Sequence, residues 1–203
     1  MPAVLHVDGL CFGYPQRLLF NHWSARVMPG VTLVHGGDGS GKTSLLRLIA
    51  GELEAASGRL RIRDTCLADD PHAYRRKRFW IDPRSGEHDP LTALQFLRSL
   101  PGIRLDGPAW DALVHGLSLG PHLDKPLFML STGSKRKVWL AAAFASSAPL
   151  TLLDQPFAAL DRPSIDHVRA LLTEAAGNPA RAWLVAHHET LGDLPLAGTI
   201  ELD

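Results

Sequence analysis

The chain has 203 residues, 45% of them hydrophobic and 21% charged, which is enough for one sizeable core and short for two independent ones. Lys and Arg together number 21, as do Asp and Glu, so no charge excess points to a polyanion, and a nucleic-acid partner is not expected. Cys11 and Cys66 are isolated, without disulfide or metal spacing, and no basic-then-apolar leader precedes the first strand, so the expected setting is reducing and cytoplasmic.

In chain order, Leu5-His6-Val7 and the stretch around Ala25-Arg26-Val27 predict short strands of an N-terminal antiparallel piece, punctuated by Pro15 and Pro29-Gly30. Val31-Thr32-Leu33-Val34 predicts a strand ending at His35, and Ser44 to Ala50 predicts a helix with Leu45, Leu48 and Ile49 on one face. Between them lies Gly36-Gly37-Asp38-Gly39-Ser40-Gly41-Lys42-Thr43. Gly36 and Gly41 let the backbone turn tightly enough to aim successive N–H groups at one anion, and Gly37 and Gly39 remove side chains that would hold a phosphate away. Lys42 can reach the β- and γ-phosphates, the Thr43 hydroxyl can ligate Mg²⁺, and the phosphate would sit on the N-terminus of the helix that Ser44 continues. A glycine-rich turn between two core elements would explain the glycines but not Lys-Thr at this spacing. Gly36, Gly37, Asp38, Gly39, Ser40, Gly41, Lys42, Thr43 and Ser44 are therefore the candidate nucleotide-binding residues.

Leu60-Arg61-Ile62-Arg63 alternates and predicts a half-buried strand. The run Arg75-Arg76-Lys77-Arg78 reads as a solvated face, since it is short, lies in a neutral chain and lacks interleaved aromatics. From Asp89 to Leu130 short helical segments are broken by Pro90, Pro101-Gly102, Pro108, Pro121 and Pro126, which marks a helical subdomain over about residues 89–145 of a single nucleotide-binding domain, 1–203. Val138 to Leu153 carries no charge, but Ser146, Ser147 and Pro149 divide it into a buried helix and a buried strand rather than a membrane span. That strand, Leu150-Thr151-Leu152-Leu153, ends in Asp154, whose natural task beside a phosphate loop is to hold Mg²⁺ through water. A helix from about Pro163 to Ala176 and a strand from Ala182 to Ala186 complete a parallel βαβ pattern. The class is α/β: a P-loop fold with a mainly parallel core sheet, an N-terminal antiparallel β piece and a helical subdomain.

The succession of glycine loop, Leu130-Ser131-Thr132-Gly133-Ser134, Leu152-Leu153-Asp154-Gln155-Pro156, Ala159-Leu160-Asp161 and His187 resembles the ATP-binding cassette ATPases over nearly the whole chain. The compact length and the Phe79-Trp80-Ile81 and Leu91-Thr92-Ala93-Leu94 stretches are similar to the haem-exporter ATP-binding subunits of cytochrome c biogenesis. The resemblance implies ATP and Mg²⁺ as ligands, separate transmembrane permease subunits as partners and a peripheral position on the cytoplasmic face of the membrane. It also implies an ATP-closed head-to-tail sandwich, either a homodimer or a heterodimer with a competent paralogue. Tyr14 falls where an adenine-stacking aromatic is placed, although an aromatic plug in the β piece is the competing reading. Ser131, Thr132, Gly133 and Ser134 would form the signature that meets the γ-phosphate of the opposite copy, Asp161 would lie at the dimer seam, and His187 would touch the γ-phosphate, with His188 the neighbouring alternative.

Four positions depart from that pattern. Gln155 stands where a catalytic Glu is usual, and a carboxamide can hydrogen-bond to water but cannot accept its proton, a loss of roughly 10²–10⁴ in rate. Arg84 stands where a metal-contacting Gln is aligned, and a guanidinium cannot ligate Mg²⁺. Thr132 and Ser134 replace the usual Gly and Gln of the signature. The expectation is an ATP-binding subunit with weak or partner-dependent hydrolysis. A non-transport ATP-dependent switch and, behind it, a small-molecule P-loop kinase are the alternatives, the kinase having no use for Leu130–Ser134 or Ala159–Asp161.

Overall fold

The computed structural model describes residues 1–82 and 85–202, so position 84 lies outside the described residues. They fall into two compact units, one of Met1–Trp80, Ala148–Gln155 and Thr173–Asp203, the other of Ile81–Ser147 and Pro156–Leu172.

The first unit holds two sheets. An antiparallel sheet has the order β2-β1-β4-β5, from β1 (Leu5–Tyr14), β2 (Arg17–Val27), β4 (Ser57–Ile62) and β5 (Thr65–Cys66). The second sheet is parallel throughout, in the order β6-β7-β8-β3-β9, from β3 (Gly30–His35), β6 (Arg78–Phe79), β7 (Leu150–Asp154), β8 (Ala182–His187) and β9 (Leu196–Glu201). β1 and β2 are each longer than their sequence predicts. Register shifts between Val7 and Leu10, Leu10 and Phe12, and Phe12 and Gly13 break the alternation that a sequence pattern relies on, while the pairing runs on to Tyr14 opposite Arg17.

Helix α1 (Lys42–Ile49) follows β3, and Leu45, Leu46, Leu48 and Ile49 are all fully buried, a wider face than the three residues anticipated. They join Val34, Leu152, Leu184 and Ala186 of the parallel strands and Leu5, Leu10, Leu60 and Ile62 of the antiparallel sheet in one core cluster. Each fully buried leucine or isoleucine contributes about 1.5–3 kcal/mol, and truncating Leu48 to Ala would cost about 2–5 kcal/mol through lost burial and a residual cavity. Helix α2 (Pro71–Arg76) starts at Asp70, whose carboxylate caps the Ala73 N–H at 2.8 Å.

The basic run around α2 is exposed at Arg75 and Arg76 and half-buried at Lys77 and Arg78, and three of its side chains have partners. The Arg75 guanidinium donates to the Gly51 carbonyl at 2.9 Å and Arg78 Nε to the Ala50 carbonyl at 3.1 Å, both at the C-terminal end of α1, and Lys77 pairs with Asp64. Cations there satisfy carbonyls that the helix leaves without partners.

In the second unit, α3 (Ala93–Ser99) opens with a capping box of Thr92 and Gln95, and α4 (Gly107–Gly116) follows with Pro108 in its first turn. α5 (Thr132–Ala145) is capped by Ser131, and α6 (Arg162–Ala176) begins here. Phe96, Leu97, Leu117, Leu119, Val138 and Ala141 to Ala143 are buried. No helix among the described residues is long and apolar enough to cross a membrane.

Candidate functional site

Three adjacent parallel strands end together in the first unit. β8 lies between β7 and β3, pairing Ala186 with Asp154 on one side and His187 with His35 on the other. The glycine loop leaves β3, Gln155 leaves β7, and His187 closes β8, so the motifs read from sequence meet at the carboxyl ends of the strands, where open parallel sheets place their ligands.

The loop is built for an anion. A Cβ on Gly36 would overlap the Leu202 carbonyl oxygen, so packing alone demands glycine there. Gly37 is different: nothing in the protein lies within 4 Å of where its Cβ would be, so the space it leaves open faces outward. Lys42 is 6% exposed, and its ammonium donates to the carbonyls of Gly36 and Gly37 at 2.6 and 2.7 Å. Its charge is thereby held over the loop at the start of α1, where the first-turn N–H groups and the helix dipole already favour an anion.

The donor set suits a hard divalent cation. The Thr43 hydroxyl donates to Asp154 Oδ2 at 2.7 Å, bringing a hydroxyl oxygen and a carboxylate together across the width of β8. Two oxygen ligands that leave most positions to water and phosphate are what Mg²⁺ accepts. Thr43 thus donates to the residue with which it would share the ion.

An open pocket of about 430 Å³ is lined by Tyr14, Arg17, Leu19, Asp38, Gly39, Gly41, Lys42, Thr43, Ser44 and Gln155. Tyr14 is 48% exposed, its ring stands edge-on to Phe12 at 5.2 Å, and its hydroxyl lies 3.2 Å from Ser44 Oγ. An aromatic plug would be buried; Tyr14 instead presents ring surface to the pocket.

Gln155 has φ 48°, a left-handed conformation that costs a non-glycine residue of order 1 kcal/mol. Its N–H donates to the Ala186 carbonyl at 2.9 Å. Its side-chain Oε1 lies 2.7 Å from His187 Nδ1 and 3.1 Å from His188 Nδ1. An amide oxygen only accepts, so both imidazoles present Nδ1–H to it, and the sequence alternative between His187 and His188 becomes a shared acceptor.

Ser131, Thr132, Gly133 and Ser134, the residues read as a signature, lie in the second unit. Ser131 caps α5, its Oγ accepting from the Ser134 N–H at 3.1 Å and donating to Ser134 Oγ at 3.0 Å. Gly133 is required by close approach, since a Cβ there would overlap the Ala159 carbonyl oxygen. Asp161 has two partners that sequence did not indicate: Lys137 Nζ at 2.6 Å and, as the cap of α6, the Ser164 N–H at 2.9 Å. These bonds, that from Lys137 foremost, hold its carboxyl far below the usual carboxylate range. Thr132 is exposed in the first turn of α5.

In the first unit a glycine loop at a strand end, a buried lysine and a strand-end carboxylate stand together, as a P-loop nucleotide-binding fold requires. The chain belongs to the ABC transporter family, whose model matches residues 21–158, and it is an ATP-binding subunit. It is 35% identical over 192 residues, 92% of this chain and 88% of the other, to the cytochrome c biogenesis ATP-binding export protein CcmA of Pseudomonas syringae. It is 30% identical, over 98% of each chain, to the protein of that name in Vibrio cholerae. A solved ATP-binding subunit of an ABC transporter superposes with a TM-score of 0.75 at 26% identity, over 91% of this chain and 79% of the other.

Proposed function

We propose that MgATP occupies the pocket between Tyr14 and the phosphate loop, and that this chain couples ATP binding, with weak or partner-dependent hydrolysis, to transport through separate membrane-spanning chains. The relatives' names bring with them an export step in cytochrome c biogenesis, and this chain would serve such a step from the cytoplasmic face of the membrane. Adenine would stack on the exposed ring of Tyr14, and the phosphates would take the first-turn N–H groups of α1 and the Lys42 ammonium in place of the Gly36 and Gly37 carbonyls. Mg²⁺ would be held by Thr43 directly and by Asp154 through water, and once bound it neutralises phosphate charge. Two copies, or this chain and a competent paralogue, would close head to tail with Ser131 and the α5 N-terminus of one against the γ-phosphate of the other, and Asp161 at the seam.

The observation that carries the weak-hydrolysis reading is the pair of imidazole N–H groups on Gln155 Oε1. Both lone pairs of that oxygen are used, and the amide nitrogen only donates, so Gln155 cannot take a proton from water and has no acceptor left to orient one. Binding is intact on this account while turnover is slow, which also keeps a nucleotide-dependent switch as the second reading. Calorimetric titration with MgATP, paired with single-turnover hydrolysis, tests it: the expected result is binding with a rate well under the ~1 s⁻¹ lower end of ordinary phosphoryl-transfer enzymes. Fast turnover by the isolated chain would refute it.

A further inference from the structure

We propose that Arg17 is a second phosphate-binding cation of this pocket, delivered by the same hairpin that delivers Tyr14; the proposal rests on the nucleotide reading above. β1 and β2 pair Tyr14 with Arg17 across their turn, so the two side chains reach the pocket from the two ends of one tight connection. The Arg17 guanidinium extends to the glycine loop, where Nη1 lies 3.6 Å from the position a Cβ would take on Gly39.

Arg17 is exposed, and among the described residues its guanidinium has no carboxylate, carbonyl or ring partner. A guanidinium held at the mouth of an anion site without an internal partner has its five donors available to a ligand. The charge balance of the lining gives it work. Asp38 places a carboxylate on the same loop and offsets the charge of Lys42, which is moreover turned onto the Gly36 and Gly37 carbonyls. Arg17 is the remaining charged group of the lining, and it restores a net positive site for a polyphosphate. The chemistry it recognises is the phosphate chain rather than the base, because its contact is with the loop at Gly39 and because planar guanidinium donors match phosphate oxygens in pairs.

The test titrates the wild type, Arg17→Ala and Arg17→Lys with MgATP and with magnesium tripolyphosphate, a ligand without a base. Arg17→Ala is expected to weaken both by roughly tenfold, the scale of one partly solvated charge-assisted contact, with the difference shrinking as salt is raised. Arg17→Lys should recover part of the loss, and adding Asp38→Asn to Arg17→Ala should recover part as well. The nucleotide-free melting temperature of Arg17→Ala should match the wild type, since no internal contact is removed. Unchanged MgATP affinity in Arg17→Ala overturns the proposal, as does a loss for MgATP without one for tripolyphosphate, which would place the arginine on the base. A wild type that binds neither ligand overturns the nucleotide reading together with this one, whereas wild-type binding with an indifferent Arg17→Ala overturns this one alone.

Discussion

The amide oxygen of Gln155 sits 2.7 Å from Nδ1 of His187, and this contact decides what a carboxylate at position 155 would do. A glutamate has the same reach and would accept the same N–H bonds from His187 and His188 through one oxygen, leaving its second oxygen as a proton acceptor. Gln155→Glu is therefore expected to raise ATP turnover by roughly one to three orders of magnitude without weakening MgATP binding. Steady-state phosphate release measures it. A rate that stays at background would mean that the missing base is not what limits this site.

Lys42 holds part of the loop together, and on the proposed function it also carries nucleotide binding. Lys42→Ala is expected to reduce MgATP binding below detection by calorimetric titration, because it removes the buried cation of the loop. It also leaves the Gly36 and Gly37 carbonyls without the ammonium, so a loss of about 1–3 kcal/mol in the stability of the nucleotide-free chain should accompany it in denaturant melts. Wild-type affinity in this variant contradicts the phosphate-loop assignment.

Nucleotide-dependent association is the third expectation. Static light scattering should show a mostly monomeric chain that associates on adding MgATP, alone or with a paralogue recovered from lysate. Gly133→Ala should suppress that association, because the added methyl group would displace the Ala159 carbonyl and with it the segment leading to Asp161. If neither the wild type alone nor a pull-down shows a nucleotide effect, no sandwich forms.

The depressed carboxyl of Asp161 gives a pH signature. Its folded-state pKa is lowered by the bonds from Lys137 and Ser164, so its stabilisation is fully present above the ordinary carboxylate value of about 3.9 and is lost as the pH falls through the folded value. The side chain is 56% exposed, so solvent and salt screen the pair and the effect is modest. Asp161→Asn should flatten the dependence of melting temperature on pH below about 5, compared with the wild type. Two superimposable profiles would show that the pair with Lys137 contributes nothing to folding.

Much of the site was legible because its parts are contiguous. The loop from Gly36 to Thr43 and the strand and helix that flank it each announce themselves within a few residues. Arg17 does not: its approach to the loop depends on the register of β1 and β2, and that register is hidden by bulges around Gly9 and Gly13 and by the polar Asn21 and His22. The partners of Arg75 and Arg78 were not legible because these acceptors, the carbonyls of Gly51 and Ala50, are distant in sequence. The ion pair of Lys137 with Asp161 is hidden for the same reason. The aligned glutamine position, Arg84, lies outside the described residues.

The close approach of Gly133 to the Ala159 carbonyl changes what a glycine in this motif records. Its absence of a side chain is fixed by the neighbouring backbone, so the chain would have to keep glycine there even in a lineage that had stopped using the signature. The intact glycine is thus a mark of packing and not a gauge of retained activity. Thr132, one residue earlier, is exposed in the first turn of α5, and it is the position at which relaxed demand on the helix tip could be written first.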